Sequence, residues 1–407
     1  MTDKKSDFSG VNACGRVPVT ILTGFLGSGK TTLLNALTAR PDMAGVAVFI
    51  NEFGDVGIDH HLVERVDDTL VVLESGCLCC TVQGNLIEAL MRLHERMSRR
   101  EIAPVSRVLI ETSGLADPAP VVRALMEDRL VSARFRCDGV LTVVDTERAR
   151  AQIARHREAR VQVSLADRLL LSKCDLASRA ERTTLERELE ALNPSAARIA
   201  LRQGEADPQI LFGGGLYVSG PTSVTATDWL SGQRNTGQHH IGKSLFHCAP
   251  HSGRASSFVV TLDEATGWRG FAVTMGEILS RWAGRLLRVK GLVSIAGIDQ
   301  PVAIQCVDEA AYAPVRLAAW PRSGPLTDRQ GRLVFIGEDL DIHVEADIRA
   351  RLAAMPGDRE ALRRAAVTGL PTRTWLGERM PLTPRPGLVS DAFIIQPRVL
   401  GEMPARI

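Results

Sequence analysis

The chain has 407 residues, 45% of them hydrophobic and 24% charged, which is enough material for more than one packed core. A net charge of +2 and only 4% aromatics argue against a nucleic-acid binder, and no apolar run approaches membrane-spanning length. Residues 1–16 are polar without an apolar core, so they read as a disordered leader and not a secretory signal, with a cytoplasmic location expected.

The first apolar, β-rich run, Val17–Leu22, leads into Gly24-Phe25-Leu26-Gly27-Ser28-Gly29-Lys30-Thr31-Thr32, and a helix-compatible stretch follows. This is the strand–loop–helix setting of a phosphate-binding loop. Gly24, Gly27 and Gly29 let the backbone N–H groups, with those of Ser28 and Thr32, turn towards a phosphate at the positive end of the helix. Lys30 is placed to reach the β- and γ-phosphates as a catalytic cation, and the Thr31 hydroxyl to ligate Mg²⁺.

Val46–Ile50 is a buried strand and runs into Asn51–Asp59, an acidic, glycine-punctuated loop. Its carboxylates, Glu52 foremost, suit Mg²⁺ directly or through water, or a second metal; a solvated acidic turn is the alternative. Thr69–Leu73 is a further strand and delivers Gly76-Cys77-Leu78-Cys79-Cys80. Three of the eight cysteines thus fall within four residues, and in a reducing compartment such clusters serve metal or redox chemistry more than disulfides. Cys77 and Cys79 share a face of an extended segment, and Cys80 joins them if the chain turns into the helix near Val82. Three thiolates suit Zn²⁺ or Cu(I), with a fourth position open for a metal that is handed on. The competing assignment is small apolar filling.

After an amphipathic helix at Asn85–Arg99, the strand Arg107–Ile110 ends in Glu111-Thr112-Ser113-Gly114. An acid at a strand end with glycine three residues on matches the element that senses Mg²⁺ and the γ-phosphate, the Gly114 N–H making a bond that hydrolysis breaks. Glu111 and Gly114 therefore join Lys30 as catalytic candidates. The strand Gly139–Val144 and one charged helix, Arg148–Leu165, precede Leu169–Leu171 and Ser172-Lys173-Cys174-Asp175. The Asp175 carboxylate can accept from guanine N1–H and the 2-amino group, donors that adenine lacks. Lys173 is expected along the base plane. Ser172 stands where most GTPases carry Asn, which predicts a shortened or lost contact to the base and a weakened preference for GTP. Cys174 is read as packing.

A helix, Glu181–Leu192, and a sheet-closing strand, Ala197–Leu201, complete this unit. A polar linker follows, with His239, His240, His247 and His251 at its end as an auxiliary metal-holding segment or as solvated side chains. From Ser256, strands at Phe258–Leu262, Leu286–Ile295, Val302–Val307 and Leu333–Ile336 alternate with helices at Thr274–Gly284 and Ala346–Met355, a two-layer α+β unit. The Pro- and Arg-rich stretch from Pro356 onward is predicted to be an extended or partly disordered arm.

Together, Gly24–Thr32, Asn51–Asp59, Gly76–Cys80, Glu111–Pro118 and Ser172–Asp175 resemble the CobW-type GTPases, relatives of the HypB- and UreG-type nickel-insertion GTPases. Arg288-Val289-Lys290-Gly291, Trp320-Pro321 and Arg332–Gly337 are similar to that family's C-terminal domain. The resemblance implies a P-loop NTPase domain with a mostly parallel sheet over 17–221, a linker over 222–250 and a smaller α+β domain over 251–355, while the tail over 356–407 exceeds what the family leads one to expect. It also implies a GTPase using GTP and Mg²⁺ that binds Zn²⁺ (or Co²⁺) at Cys77, Cys79 and Cys80 and delivers it to a client metalloprotein. A GTP- or metal-dependent homodimer is compatible with it; nucleic acid and membrane are not expected as partners. The alternative is a regulatory GTPase with a structural or redox cysteine cluster and a C-terminal interaction domain. The long histidine-rich loop of many members is here reduced to the His239–His251 set.

Overall fold

The computed structural model describes residues 16–50, 71–74, 82–202, 206–212, 255–317, 319–320, 326–367, 369–378 and 380. Within the first unit the elements are β1 (Val17–Thr23), α1 (Lys30–Thr38), β2 (Val46–Ile50), β3 (Val71–Glu74), α2 (Val82–Ser98), β4 (Arg107–Glu111), α3 (Ala119–Glu127), α4 (Arg129–Ser132), β5 (Phe135–Asp145), α5 (Ala149–Arg155), α6 (Arg157–Leu165), β6 (Arg168–Ser172), α7 (Arg179–Leu192), β7 (Ala197–Ala200) and α8 (Pro208–Phe212). The seven strands form one parallel sheet in the order β3-β2-β4-β1-β5-β6-β7. Every residue of β1 is buried, as a central strand covered by helices on both faces requires, and this explains its largely apolar run. Helices supply their own stops and starts. At α7, the Ser178 hydroxyl accepts from the Glu181 N–H while the Glu181 carboxylate accepts from the Ser178 N–H.

Parallel register sets where ligands collect. Glu74 pairs with Ile50, Ile50 with Glu111 and Glu111 with Leu22, so β3, β2, β4 and β1 all leave the sheet at one level. On the other side Thr23 pairs with Thr142, and Asp145 at the end of β5 pairs with Ser172 at the end of β6. The carboxyl ends of the strands therefore form a single rim, the usual place for a ligand in an open α/β sheet.

The second unit is an antiparallel sheet of six strands: β8 (Ala255–Leu262), β9 (Leu286–Val293), β10 (Val302–Val307), β11 (Ala310–Ala311), β12 (Val315–Arg316) and β13 (Gly331–Glu338). Helices α9 (Trp268–Arg281), α10 (Ile342–Ala353) and α11 (Asp358–Val367) pack with it. Its core gathers Trp268, Phe271, Met275, Ile304, Phe335 and Ile348.

Three expectations are corrected here. The single helix predicted over 148–165 is two, because His156 adopts extended backbone between α5 and α6 and turns its ring onto Phe25, 4.7 Å between centroids. The strand predicted to begin at Gly139 begins at Phe135. The region after Pro356 is not an extended arm up to Met380: it contains α11 and a 3-10 turn, Arg373–Gly377. Trp375 of that turn is fully buried against Trp268 and Phe271, and its indole N–H donates to the Tyr312 carbonyl at 2.6 Å. Gly270 and Gly276 admit this segment, since a Cβ at either would lie 2.1 Å from the Pro356 carbonyl oxygen or 2.4 Å from Thr372 Oγ1.

The two units meet over a buried ionic contact. Arg288 and Lys290, two apart on β9 and so on one side of it, both reach the Asp167 carboxylate that precedes β6. Arg288 also donates to the Leu165 carbonyl at the end of α6, and Arg123 of α3 pairs with Asp308 at 2.8 Å. Tyr312 inserts into the first unit's core and donates to Cys137 Sγ.

Candidate functional site: the phosphate loop and the strand rim

Between β1 and α1 the chain turns on three glycines. Gly24 has φ 145° and lies so close to β5 that a Cβ would fall 2.4 Å from the Val143 carbonyl oxygen; Gly27 and Gly29 also have positive φ, at 72° and 99°. Gly29 is the N-cap of α1, without a side-chain cap and with no acid in the first turn. The helix thus presents its N–H groups and a cation, Lys30, at its positive end, which disfavours a bare helix but suits a bound anion. Lys30 Nζ donates to the Gly24 carbonyl at 2.9 Å. Ser28 Oγ is buried with no partner among the described residues, a polar atom left to a ligand in the loop.

Beside the loop, Thr31 Oγ1 lies 3.5 Å from Glu111 Oε1, and Glu111 is buried at the end of β4. A hydroxyl and a carboxylate converging beneath a phosphate loop form a hard-oxygen donor set that fits Mg²⁺. Thr112, next after Glu111, donates its N–H to Leu22 and its hydroxyl lies 2.7 Å from that of Thr23, which holds the end of β4 to β1. Gly114 then passes against the phosphate loop: a Cβ there would sit 2.8 Å from the Leu26 nitrogen. Asp117 closes the segment by capping α3 through the Ala119 N–H at 2.9 Å; burial pushes its carboxyl above the usual carboxylate range.

At the far side of the rim the base segment is tied to the phosphate loop. Lys173, in the left-handed region at φ 54°, donates from Nζ to the Gly27 carbonyl at 2.8 Å and to Asp145 Oδ2 at 2.7 Å. Ser172 is buried, and its hydroxyl lies 2.6 Å from the Ser28 carbonyl and 3.2 Å from that of Val144. This side chain joins β6 to the phosphate loop. Asp175 is exposed, with the Cys174 thiol turned back onto the Leu171 carbonyl as packing.

Asp145 and Thr146 were missed from the sequence. Asp145 is buried, accepts from the Glu147 and Arg148 N–H groups with one oxygen and pairs with Lys173 through the other; Thr146 Oγ1 donates to the Ser172 carbonyl at 2.6 Å. An acid at the end of an apolar strand was the available signal, the one used for Glu111. Thr32 is exposed on α1. Glu52, Cys77, Cys79, Cys80, His239, His240, His247 and His251 lie outside the described residues; the cysteines fall between the end of β3 at Glu74 and the start of α2 at Val82. Among the described residues no helix is long and apolar enough to cross a membrane.

Residues 18–200 match the family model of the CobW/HypB/UreG nucleotide-binding domain, and residues 255–355 that of the cobalamin synthesis protein cobW C-terminal domain. The chain is 32% identical over 340 residues to the zinc chaperone YjiA of Escherichia coli, covering 83% of this chain and 98% of that protein. It is 29% identical over 375 residues to a zinc chaperone CobW of Sinorhizobium, covering 84% and 98%. It is also similar to the zinc-regulated GTPase metalloprotein activator 1 of Schizosaccharomyces pombe, 34% identical over 198 residues but covering only 47% of each. Among solved structures, Zn(II)-bound YjiA GTPase from E. coli superposes with a TM-score of 0.60 at 28% identity, covering 84% of this chain and 99% of that one. With a glycine-turned phosphate loop, an acid-ended neighbouring strand and both domains matched in order, this chain belongs to the CobW/HypB/UreG family.

Proposed function

We propose that this chain is a GTPase metallochaperone that takes Zn²⁺ at Cys77, Cys79 and Cys80 and passes it to a client metalloprotein when GTP is hydrolysed. The GTPase half follows from the family and the loop. Its helix end and Lys30 receive the phosphates, Gly114 faces the γ-phosphate position from β4, and Lys173 and Asp175 border the guanine. Thr31 and Glu111 would hold Mg²⁺, directly or through water, and that ion supplies charge neutralisation on the phosphates.

One observation carries the metal half. β3 leaves the sheet in register with the strand that ends in Glu111, separated from it by β2 alone. Two strand spacings of about 4.8 Å put the end of β3 roughly 10 Å from the end of β4. The cysteine-bearing segment thus starts beside the element that answers to the γ-phosphate, close enough for one movement to reach both. The support is this placement together with the zinc named in the relatives.

The test is reciprocal titration. Zn²⁺, or Co²⁺ as a spectroscopic substitute giving a thiolate charge-transfer band, is titrated with GDP and with a non-hydrolysable GTP analogue bound. Affinities should differ by a coupling on the order of 1–3 kcal/mol, and the metal should shift GTP affinity by the same factor. The Cys77→Ser, Cys79→Ser, Cys80→Ser triple variant should lose the tight site. Equal affinities in both nucleotide states would instead favour the regulatory GTPase with a structural cysteine cluster.

The base assignment has its own expected result: Asp175→Asn should erode the preference for GTP over ATP, since an amide cannot offer two acceptors to guanine. Competition binding measures it. ATP and GTP competing equally in the unmodified protein would remove Asp175 from the base site.

A further inference from the structure

Gln162 lies on α6, outside every element used so far to hold nucleotide or metal, and is buried. Its Nε2 donates to the carbonyls of Gly114 at 3.1 Å and Ala116 at 3.0 Å, both in the loop that follows Glu111. Because both neighbours are acceptors, the amide nitrogen must face them, which fixes the side chain's orientation. Its Oε1 is left buried with no partner among the described residues. A buried amide with both donors spent on one loop is costly unless the loop stays where it is.

The C-terminal end of the same helix is clamped too. The Leu165 carbonyl accepts from Arg288 of β9, and Asn193 Nδ2 lies 2.9 to 3.1 Å from the carbonyls of Val163, Ser164 and Ala166. Beyond it, Asp167 pairs with Arg288 and Lys290. Helix α6 therefore has the loop beside Gly114 bonded to its body and the second unit's sheet bonded to its end. With its terminal carbonyls bonded, it is held as one piece between the loop and the sheet.

We infer that Gln162 is the positioning residue for the γ-phosphate-facing loop, and that α6 carries the position of that loop to β9 of the C-terminal sheet. The inference rests on the GTP-switch function proposed above and names how that switch leaves the nucleotide site. A second connection, α3 through Arg123 to Asp308, converges on the same strand, because the Asp308 N–H donates to the Leu287 carbonyl of β9.

The experiment uses the full chain with Gln162→Met, close in volume and without the two donors, and Gln162→Glu, which keeps the shape and loses them. Nucleotide affinity, single-turnover GTP hydrolysis and amide hydrogen exchange are measured with GDP and with a non-hydrolysable GTP analogue. The expected result is unchanged GDP affinity, with kcat lowered by about 10²-fold through misplacement of the loop. In the unmodified protein, exchange protection of 286–293 should differ between the two nucleotide states; in both variants that difference should disappear. Unchanged kcat overturns the inference, as does a β9 difference that survives the substitution or is absent from the unmodified protein. A variant that unfolds or loses GDP along with GTP also overturns it, because Gln162 would then be a structural residue only. An unmodified protein that failed to hydrolyse GTP at all would sink the proposed function, a separate outcome read in the first control.

Discussion

Lys30→Ala is expected to lower kcat for GTP hydrolysis by at least about 10²-fold, the loss seen when one preorganised donor to a developing charge is removed. Its Nζ sits 2.9 Å from the Gly24 carbonyl, inside the loop and at the first residue of α1. A lysine there opposes the positive end of its own helix, so its presence does not stabilise α1. The partly buried hydrogen bond to Gly24 that the fold loses with it is worth about 1 kcal/mol. The variant should therefore fold, while a transferred phosphoryl group would lose the cation proposed to meet it. Lys30→Arg keeps the charge but not the compact ammonium, and should recover only part of the rate. Single-turnover hydrolysis at saturating GTP, with GDP affinity measured beside it, is the check. A kcat within a few-fold of the unmodified protein would remove Lys30 from the phosphate site.

Why the phosphate loop was legible and its supports were not follows from distance along the chain. Gly24, Gly27 and Gly29 carry their information locally: a backbone that must curl tightly and approach Val143 tolerates little else. Ser172 was expected near the base because it stands where other GTPases have Asn. Its hydroxyl donates to the Ser28 carbonyl, 144 residues away in sequence, and no local pattern encodes a hydroxyl's choice of main-chain acceptor. Asp145 was half legible, as an acid at a strand end, but its pairing with Lys173 appears only once β5 and β6 lie side by side.

The C-terminal segment shows the opposite difficulty. Composition around Trp375 is polar and basic, so the stretch looked unable to bury surface; a single indole docked on Trp268 and Phe271 supplies the anchor. In a chain with 4% aromatics, a lone tryptophan in a charged stretch was the available signal. Arg288 and Lys290 were noticed only as part of a family-like motif. Their role needs Asp167, 121 and 123 residues earlier, to be seen beside them.

Asp167→Asn should then cost about 3–5 kcal/mol, the range for leaving a buried charge without its counter-ion. Arg288 and Lys290 have side-chain exposures of 0% and 2%, so neither can turn to water when the carboxylate is neutralised. Asn can still accept from the Val140 N–H, which the carboxylate now does at 3.0 Å, so the backbone contact survives and the loss is mainly ionic. Burial alone would raise the Asp167 pKa, but Arg288, Lys290, the Val140 N–H and Arg168 together hold it below its usual value. A depressed acid stabilises the fold above its unfolded pKa of 3.8, and that contribution fades as pH falls through the lower folded value. Lys290 acts in the same sense at higher pH. Burial, with Arg288 beside it, brings its pKa down to about 8 in spite of Asp167, so between there and 10.5 the unfolded state binds more protons and stability rises with pH. Without the Asp167 charge Lys290 sheds its proton more readily, which relieves one of the two stranded cations. The deficit of Asp167→Asn should accordingly shrink as pH is raised towards about 8 and level off above it. Urea unfolding followed through the buried Trp268 and Trp375 reads it, on either side of that pH. A deficit under about 1 kcal/mol, as for an exposed ion pair, would show that water reaches this contact and that it does not hold the two units together.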